Sequence, residues 1–231
     1  MGCTPLTVEG PGPGKEDQPV DVTDSHRFPR QTVAVFDVAM ESGLQGAWFG
    51  QFARSRGCVG ADFDRDGDQD LYVANPGDPS VLLKNVTAPG GPIRFDLWQE
   101  LPADGLFWGG AGADFDNDGD LDLYTANGGN EGDETDHLWS FDAASDPPLT
   151  DITAGSGLGA PINPLQEPFP VGSTGALWAD FDSDGLLDVW VNSYLKLSPF
   201  ADDLPPEDMR GFNQIWLNQG DGTFVDIART S

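Results

Sequence analysis

Apolar and polar positions alternate in three short segments of the chain: LYVAN at 71–75, LYTAN at 123–127 and VWVNS at 189–193. β-Branched and aromatic residues in a period of two predict strands. Each segment follows an acidic stretch of constant design, ADFDRDGDQD at 61–70, ADFDNDGDLD at 113–122 and ADFDSDGLLD at 179–188. The acidic loop therefore joins two strands. Further strands are predicted in SVLLKN (80–85), DHLWSF (136–141) and NQIWLN (213–218). A last kind, a short strand followed by a turn, is read in FDLWQELPADGL (95–106), LTDITAGSGL (149–158) and FVDIARTS (224–231), and VAVFDVAMESGL (33–44) shares its phrasing. Gly220-Asp221-Gly222 is a hairpin signature between two of these strands. One unit thus reads strand, acidic loop, strand, connection, strand, turn, strand.

Four antiparallel strands per unit, repeated, predict an all-β fold of β-propeller blades. Asp62 and Asp114 are 52 residues apart, and Asp114 and Asp180 are 66 apart, the excess lying in loops 159–174 and 195–212. A parallel β-helix of calcium-binding nonapeptides would have a far shorter period. Three complete blades are expected, at about 45–98, 107–153 and 175–228, within a propeller segment spanning 32–231. Residues 1–31 are poor in apolar side chains and rich in Gly, Pro and Asp, and read as a disordered linker.

The acidic stretches place carboxylates at loop positions 1, 3, 5 and 9: Asp62, Asp64, Asp66 and Asp70; Asp114, Asp116, Asp118 and Asp122; Asp180, Asp182, Asp184 and Asp188. Position 6 is always glycine, as Gly67, Gly119 and Gly185. Ca²⁺ takes six to eight oxygens, and a loop that turns several side chains inward needs a residue free to bend sharply at position 6. Position 7, occupied by Asp68, Asp120 or Leu186, would contribute its backbone carbonyl, so its side chain is free to vary. Two carboxylates about 4 Å apart repel by on the order of 4 kcal/mol at an effective dielectric of 20, so converging clusters call for a cation. An EF-hand is excluded: it needs a bidentate Glu at position 12, where this chain has Val73, Thr125 or Val191, and helices on both sides.

Composition narrows the partners. The formal charge is −28, with 31 Asp against 8 Glu, and such a surface repels nucleic acid and anionic lipid. No apolar run is long enough for a membrane helix. The 30 Gly and 19 Pro suit a turn-rich β protein. Two cysteines make no disulfide framework, and Cys58, which aligns with Gly110 and Ala176, is expected as a small buried strand residue. The opening Met-Gly-Cys-Thr-Pro resembles the mature start of a bacterial lipoprotein, which would make Cys3 a lipid anchor and 1–31 its tether.

These units resemble FG-GAP/VCBS repeats, the calcium-loop blades of integrin α-subunit propellers and of many secreted bacterial proteins. The phrases NQIWLNQGDGTFVDIA and FDVAMESGL are most similar to the cartilage acidic protein-like (ASPIC/UnbV-type) branch. The resemblance covers about 33–231 and implies Ca²⁺ at about three sites, held by the aspartates at positions 1, 3, 5 and 9. Repeat number is where the chain departs from that pattern, since three blades do not close a ring of roughly four to eight. The expectation is a partial propeller, with strand 33–38 pairing in a blade outside this chain.

The acidic loops should share one face of the propeller and the long connections the other, with Trp48, Phe49, Phe52, Phe169, Phe200 and Phe212 in those connections. An extracellular protein or glycan ligand is the expected partner, and secretion or the cell surface, including the outer membrane through a lipid anchor, the expected location. Enzyme signals are thin. His26 falls in the linker and His137 opens a strand where the next repeat has Gln214, so a surface role is expected for it; no GxSxG, HExxH, CxxC or P-loop pattern occurs. The reading is a non-enzymatic calcium-binding adhesion or ligand-binding propeller. Its alternative is a module of a secreted polysaccharide-degrading enzyme. Asn85-Val86-Thr87 is a glycosylation sequon that matters only in a eukaryotic source.

Overall fold

A computed structural model describes residues 56–103, 105–128, 135–158, 171–195 and 213–227. Twelve strands form three sheets of four, each antiparallel and wound in chain order. The first contains β1 (Gly57–Ala61), β2 (Asp70–Ala74), β3 (Val81–Asn85) and β4 (Phe95–Glu100). The second contains β5 (Phe107–Ala113), β6 (Asp122–Asn127), β7 (His137–Phe141) and β8 (Leu149–Asp151). The third contains β9 (Val171–Ala179), β10 (Asp188–Leu195), β11 (Gln214–Asn218) and β12 (Phe224–Asp226). This is the all-β blade architecture expected of the repeats, and in every sheet the acidic loop joins the first strand to the second. The turn expected after β8 is one turn of helix, α1 (Thr153–Ser156), closed by Gly157 at φ 76°. Among the described residues no helix is long and apolar enough to cross a membrane.

The alternation legible in the sequence gives each sheet two apolar faces, and neighbouring sheets share them. Phe63, Tyr72, Ala74 and Leu82 of the first sheet pack on Phe107, Leu123, Trp139, Phe141 and Leu149 of the second. One repeat later, Phe115, Tyr124, Ala126 and Leu138 of the second sheet pack on Val189, Val191, Trp216 and Phe224 of the third. Polar side chains fix the same contacts. The Gln99 amide both donates to the Leu149 carbonyl and accepts from its N–H, the Trp178 indole donates to the Ala111 carbonyl, and the Asn218 amide donates to the Phe115 carbonyl. First strands meet where the sheets converge. A Cβ on Gly57 would come within 2.5 Å of the Trp108 carbonyl oxygen, and one on Gly109 within 2.8 Å of the Thr174 carbonyl oxygen, so glycine is required for that approach.

A second polar device recurs at the far end of each second strand. The Asn75 N–H donates to Ser80 Oγ, the Asn127 N–H to Asp136 Oδ1, and the Ser193 N–H to Asn213 Oδ1. Asp136 carries the most, also accepting from Tyr124 Oη and, across to the third sheet, from Ser173 Oγ. Burial pushes its carboxyl up to about 6, against the opposing pull of these hydrogen bonds.

Equivalent positions differ where the described residues supply no neighbouring sheet. Cys58, expected as a buried strand residue, is exposed. The equivalent Gly110 points toward Tyr72 and Val59 of the preceding sheet, and Cys58 has no such sheet before it among the described residues. On the other side, Leu177, Phe181 and Val225 of the third sheet are 59, 42 and 50% exposed, although Phe63 and Phe115, the counterparts of Phe181, are 0 and 1% exposed. The strand expected at 33–38 and the aromatic residues of 45–55, 159–170 and 196–212 lie outside the described residues.

Truncation should follow the packing and ignore the repeat. Phe115→Ala is expected to cost about 3–5 kcal/mol and Phe181→Ala less than about 1 kcal/mol, read from urea denaturation midpoints. Equal costs would contradict the interleaved core.

Candidate metal centres

Each acidic loop is shaped by its own side chains. Those at positions 3 and 5 accept from the backbone two residues on: Asp64 from the Asp66 N–H at 3.3 Å, Asp116 from Asp118 at 3.2 Å, and Asp182 from Asp184 at 3.1 Å. Asp66, Asp118 and Asp184 accept in the same way from Asp68, Asp120 and Leu186. At position 1, Asp62 and Asp180 accept from the N–H of Gly67 and Gly185, both at 3.1 Å. The glycines at position 6 have φ of 98°, 100° and 92°, a region closed to side chains at low cost. Position 4 is left-handed as well, in Arg65, Asn117 and Ser183 at φ 59°, 60° and 66°. Only Asn carries any sequence signal for that conformation, so this feature was not legible beforehand.

The result is convergence. One carboxylate oxygen each from Asp62, Asp64 and Asp66 lies within 4.8 Å of the others, and the same holds for Asp114, Asp116 and Asp122 and for Asp180, Asp182 and Asp188. The first loop gathers positions 1, 3 and 5; the second and third gather 1, 3 and 9. Asp70, Asp118 and Asp184 belong to their loops but fall outside these tightest groups. At position 7, the Asp120 side chain turns to Arg65 of the first loop at 3.3 Å, and Leu186 has only its backbone to offer.

Position 9 does two jobs. The buried carboxylates of Asp70, Asp122 and Asp188 each accept the N–H of the residue at position 2, Phe63, Phe115 or Phe181, on one oxygen. The other oxygen accepts the N–H of Asn85, Phe141 or Asn218 on the third strand. One side chain thus ties the start of the loop to a strand that the sequence places 15–30 residues away. Each oxygen keeps a lone pair for a cation.

The electrostatics fit a bound cation. Burial, and then the charges of Asp116 and Asp118 against the amide bonds from Phe141 and Phe115, push Asp122 up to about 7. Asp70, Asp116 and Asp182 are raised too, in each case first by desolvation. Asp62 Oδ1, Asp68 Oδ1 and Asp114 Oδ1 are buried without a hydrogen-bond partner. A buried acceptor left bare costs about 1–3 kcal/mol, and a hard cation among these oxygens would satisfy it. The donor set is all oxygen, which suits Ca²⁺, Mg²⁺ or Mn²⁺ and disfavours thiophilic metals.

His137, expected at the surface, is partly buried: it stacks on Trp139, meets Phe107 edge-on, and its Nδ1 lies 2.7 Å from Asp151 Oδ2 in an exposed contact. Lys84 on β3 reaches Asp64 and lies over the Trp98 ring, contacts that sequence reading did not anticipate.

The two roles within one loop separate by mutation. Without divalent cation, Asp122→Ala should cost about 2–4 kcal/mol, because it strands two buried N–H groups, whereas Asp114→Ala should be nearly neutral or stabilising. Urea denaturation in chelator checks both, and a larger loss for Asp114→Ala would refute the division.

Residues 62–125 match the family model described as an FG-GAP-like repeat. The chain is also similar to cartilage acidic protein 1 of Xenopus tropicalis, at 28% identity over 157 residues, which is 66% of this chain and 22% of that protein. The matched part is thus under a quarter of the relative's length. The same loop and four-stranded sheet recur beyond the matched segment, at residues 171–226, so the similarity to an FG-GAP-like repeat extends in architecture past the residues the family model matches.

Proposed function

We propose that each acidic loop binds one Ca²⁺, and that calcium is structural in a non-enzymatic, extracellular or cell-surface repeat protein that holds a protein or glycan ligand. The carboxylates of Asp62, Asp64, Asp66 and Asp70 with the Asp68 carbonyl would hold the first ion. Asp114, Asp116, Asp118 and Asp122 with the Asp120 carbonyl would hold the second, and Asp180, Asp182, Asp184 and Asp188 with the Leu186 carbonyl the third. The observation that carries this reading is the pair of buried, partnerless oxygens on Asp62 and Asp114, each beside two further converging carboxylates. The ion would supply positive charge alone, and the protein's part is to preform the cage through the amide bonds of positions 2, 5, 6 and 7.

Extracellular calcium, in the millimolar range, would fill even modest sites of this type. A chain of formal charge −28 gains most where that supply is constant. The relative named for cartilage and acidity is consistent with such a setting. Ligand contact is assigned to the connections on the side away from the acidic loops, where repeat scaffolds carry their variable pieces.

Calcium at about 100 times its dissociation constant stabilises by about 2.7 kcal/mol per site, so melting in Ca²⁺ should exceed melting in EGTA by roughly 5 °C or more. An unchanged midpoint would refute structural calcium. Binding to an array of glycans and matrix proteins without turnover of any bound glycan supports the ligand-holding role, and turnover would overturn the non-enzymatic reading.

A further inference from the structure

The three loops share a plan but differ in their cations. Lys84 lies on β3 with its Nζ over the Trp98 ring, 4.9 Å from the ring centroid, and its ammonium donates to Asp64 Oδ2. The Asp64 side chain is only 7% exposed and the Lys84 side chain 36%, so the pair is shielded from water on the carboxylate side. Strand register places Ser140 and Leu217 at the equivalent points of β7 and β11, so among the described residues neither the second loop nor the third has a cation on its third strand. The difference in geometry coincides: the first loop gathers positions 1, 3 and 5, and the others 1, 3 and 9.

We propose that Lys84 is a built-in counter-ion of the first loop, whose ammonium occupies Asp64 in competition with the divalent cation and makes this loop fill at higher cation concentration than the second and third. The inference rests on the cation reading above. A divalent ion that binds here must take Asp64 from a charge-assisted hydrogen bond and a cation–π contact, whereas the cation beside the second loop, Arg65, pairs with the Asp120 side chain, which is outside the converging carboxylates of that loop. The loops would then fill in two stages, and the first blade would tighten last.

The amides of Gly67, Gly119 and Gly185 give one reporter per loop in the ¹⁵N-labelled chain titrated with Ca²⁺ by NMR. The Gly67 midpoint is expected at roughly tenfold higher Ca²⁺ than the other two, the lower end of what one charge-assisted hydrogen bond contributes. Lys84→Met, which keeps an unbranched side chain without the charge, should bring Gly67 into line with Gly119 and Gly185, and Lys84→Arg should keep the offset. Unchanged Gly119 and Gly185 signals certify that the variants fold, with Lys84→Gln as the substitute should Lys84→Met fail. Coincident midpoints in the unmodified chain, or a Gly67 midpoint that stays put or moves to higher Ca²⁺ in Lys84→Met, would overturn the proposal while leaving calcium binding intact. Silence of all three glycines would remove the cation reading, and this inference with it.

Discussion

A buried aspartate at position 9 of each acidic loop accepts one N–H from the start of its own loop and one from the third strand of its sheet. The geometry of the blade depends on this pair of hydrogen bonds. A loop between two strands of a hairpin could otherwise swing away from the sheet, but the shared carboxylate fixes both its entry and its distance from the third strand. The cost is a carboxylate out of water, visible at Asp122, which burial drives up to about 7 despite two amide donors. Asp70 is raised by desolvation in the same way, and a divalent ion beside such carboxylates is one physical way to offset the cost.

The loop and the core are therefore parts of one construction. Phe63, Phe115 and Phe181 sit at position 2, directly between the acidic positions 1 and 3, and their N–H groups are the ones the buried aspartate accepts. In the first two loops the ring enters the apolar layer between sheets, so an ordered loop and an ordered inter-sheet contact come together. In the third the same ring is 42% exposed, and the loop geometry persists without that packing. Local hydrogen bonding is thus sufficient for the loop, and the sheet contact is added to it.

Differences among the repeats arise from neighbours. Cys58 and Gly110 occupy one position of the unit, yet among the described residues only the glycine meets a preceding sheet. Lys84 is available to Asp64 because β3 of the first sheet carries a lysine where its sisters carry serine and leucine. Arg65 reaches from the first loop to Asp120 of the second, which leaves Asp120 facing away from its own cluster.

The chain by itself determined a good deal. Strict alternation in LYVAN, LYTAN and VWVNS, with an acidic glycine-centred stretch ahead of each, identified the strands, the connecting loops and the four-stranded unit, because side-chain period and turn chemistry are local properties. The carboxylates at positions 1, 3, 5 and 9 were legible for the same reason, but which three of them converge most tightly, 1, 3 and 5 in the first loop and 1, 3 and 9 in the other two, was not. Tertiary structure alone decided what joins distant residues. The second task of Asp70, Asp122 and Asp188 needs a strand 15–30 residues further on, the partial burial of His137 needs Trp139 and Phe107 around it, and the exposure of Cys58 depends on which sheet lies alongside. A repeat pattern describes the unit, and burial and pairing are properties of the unit's surroundings.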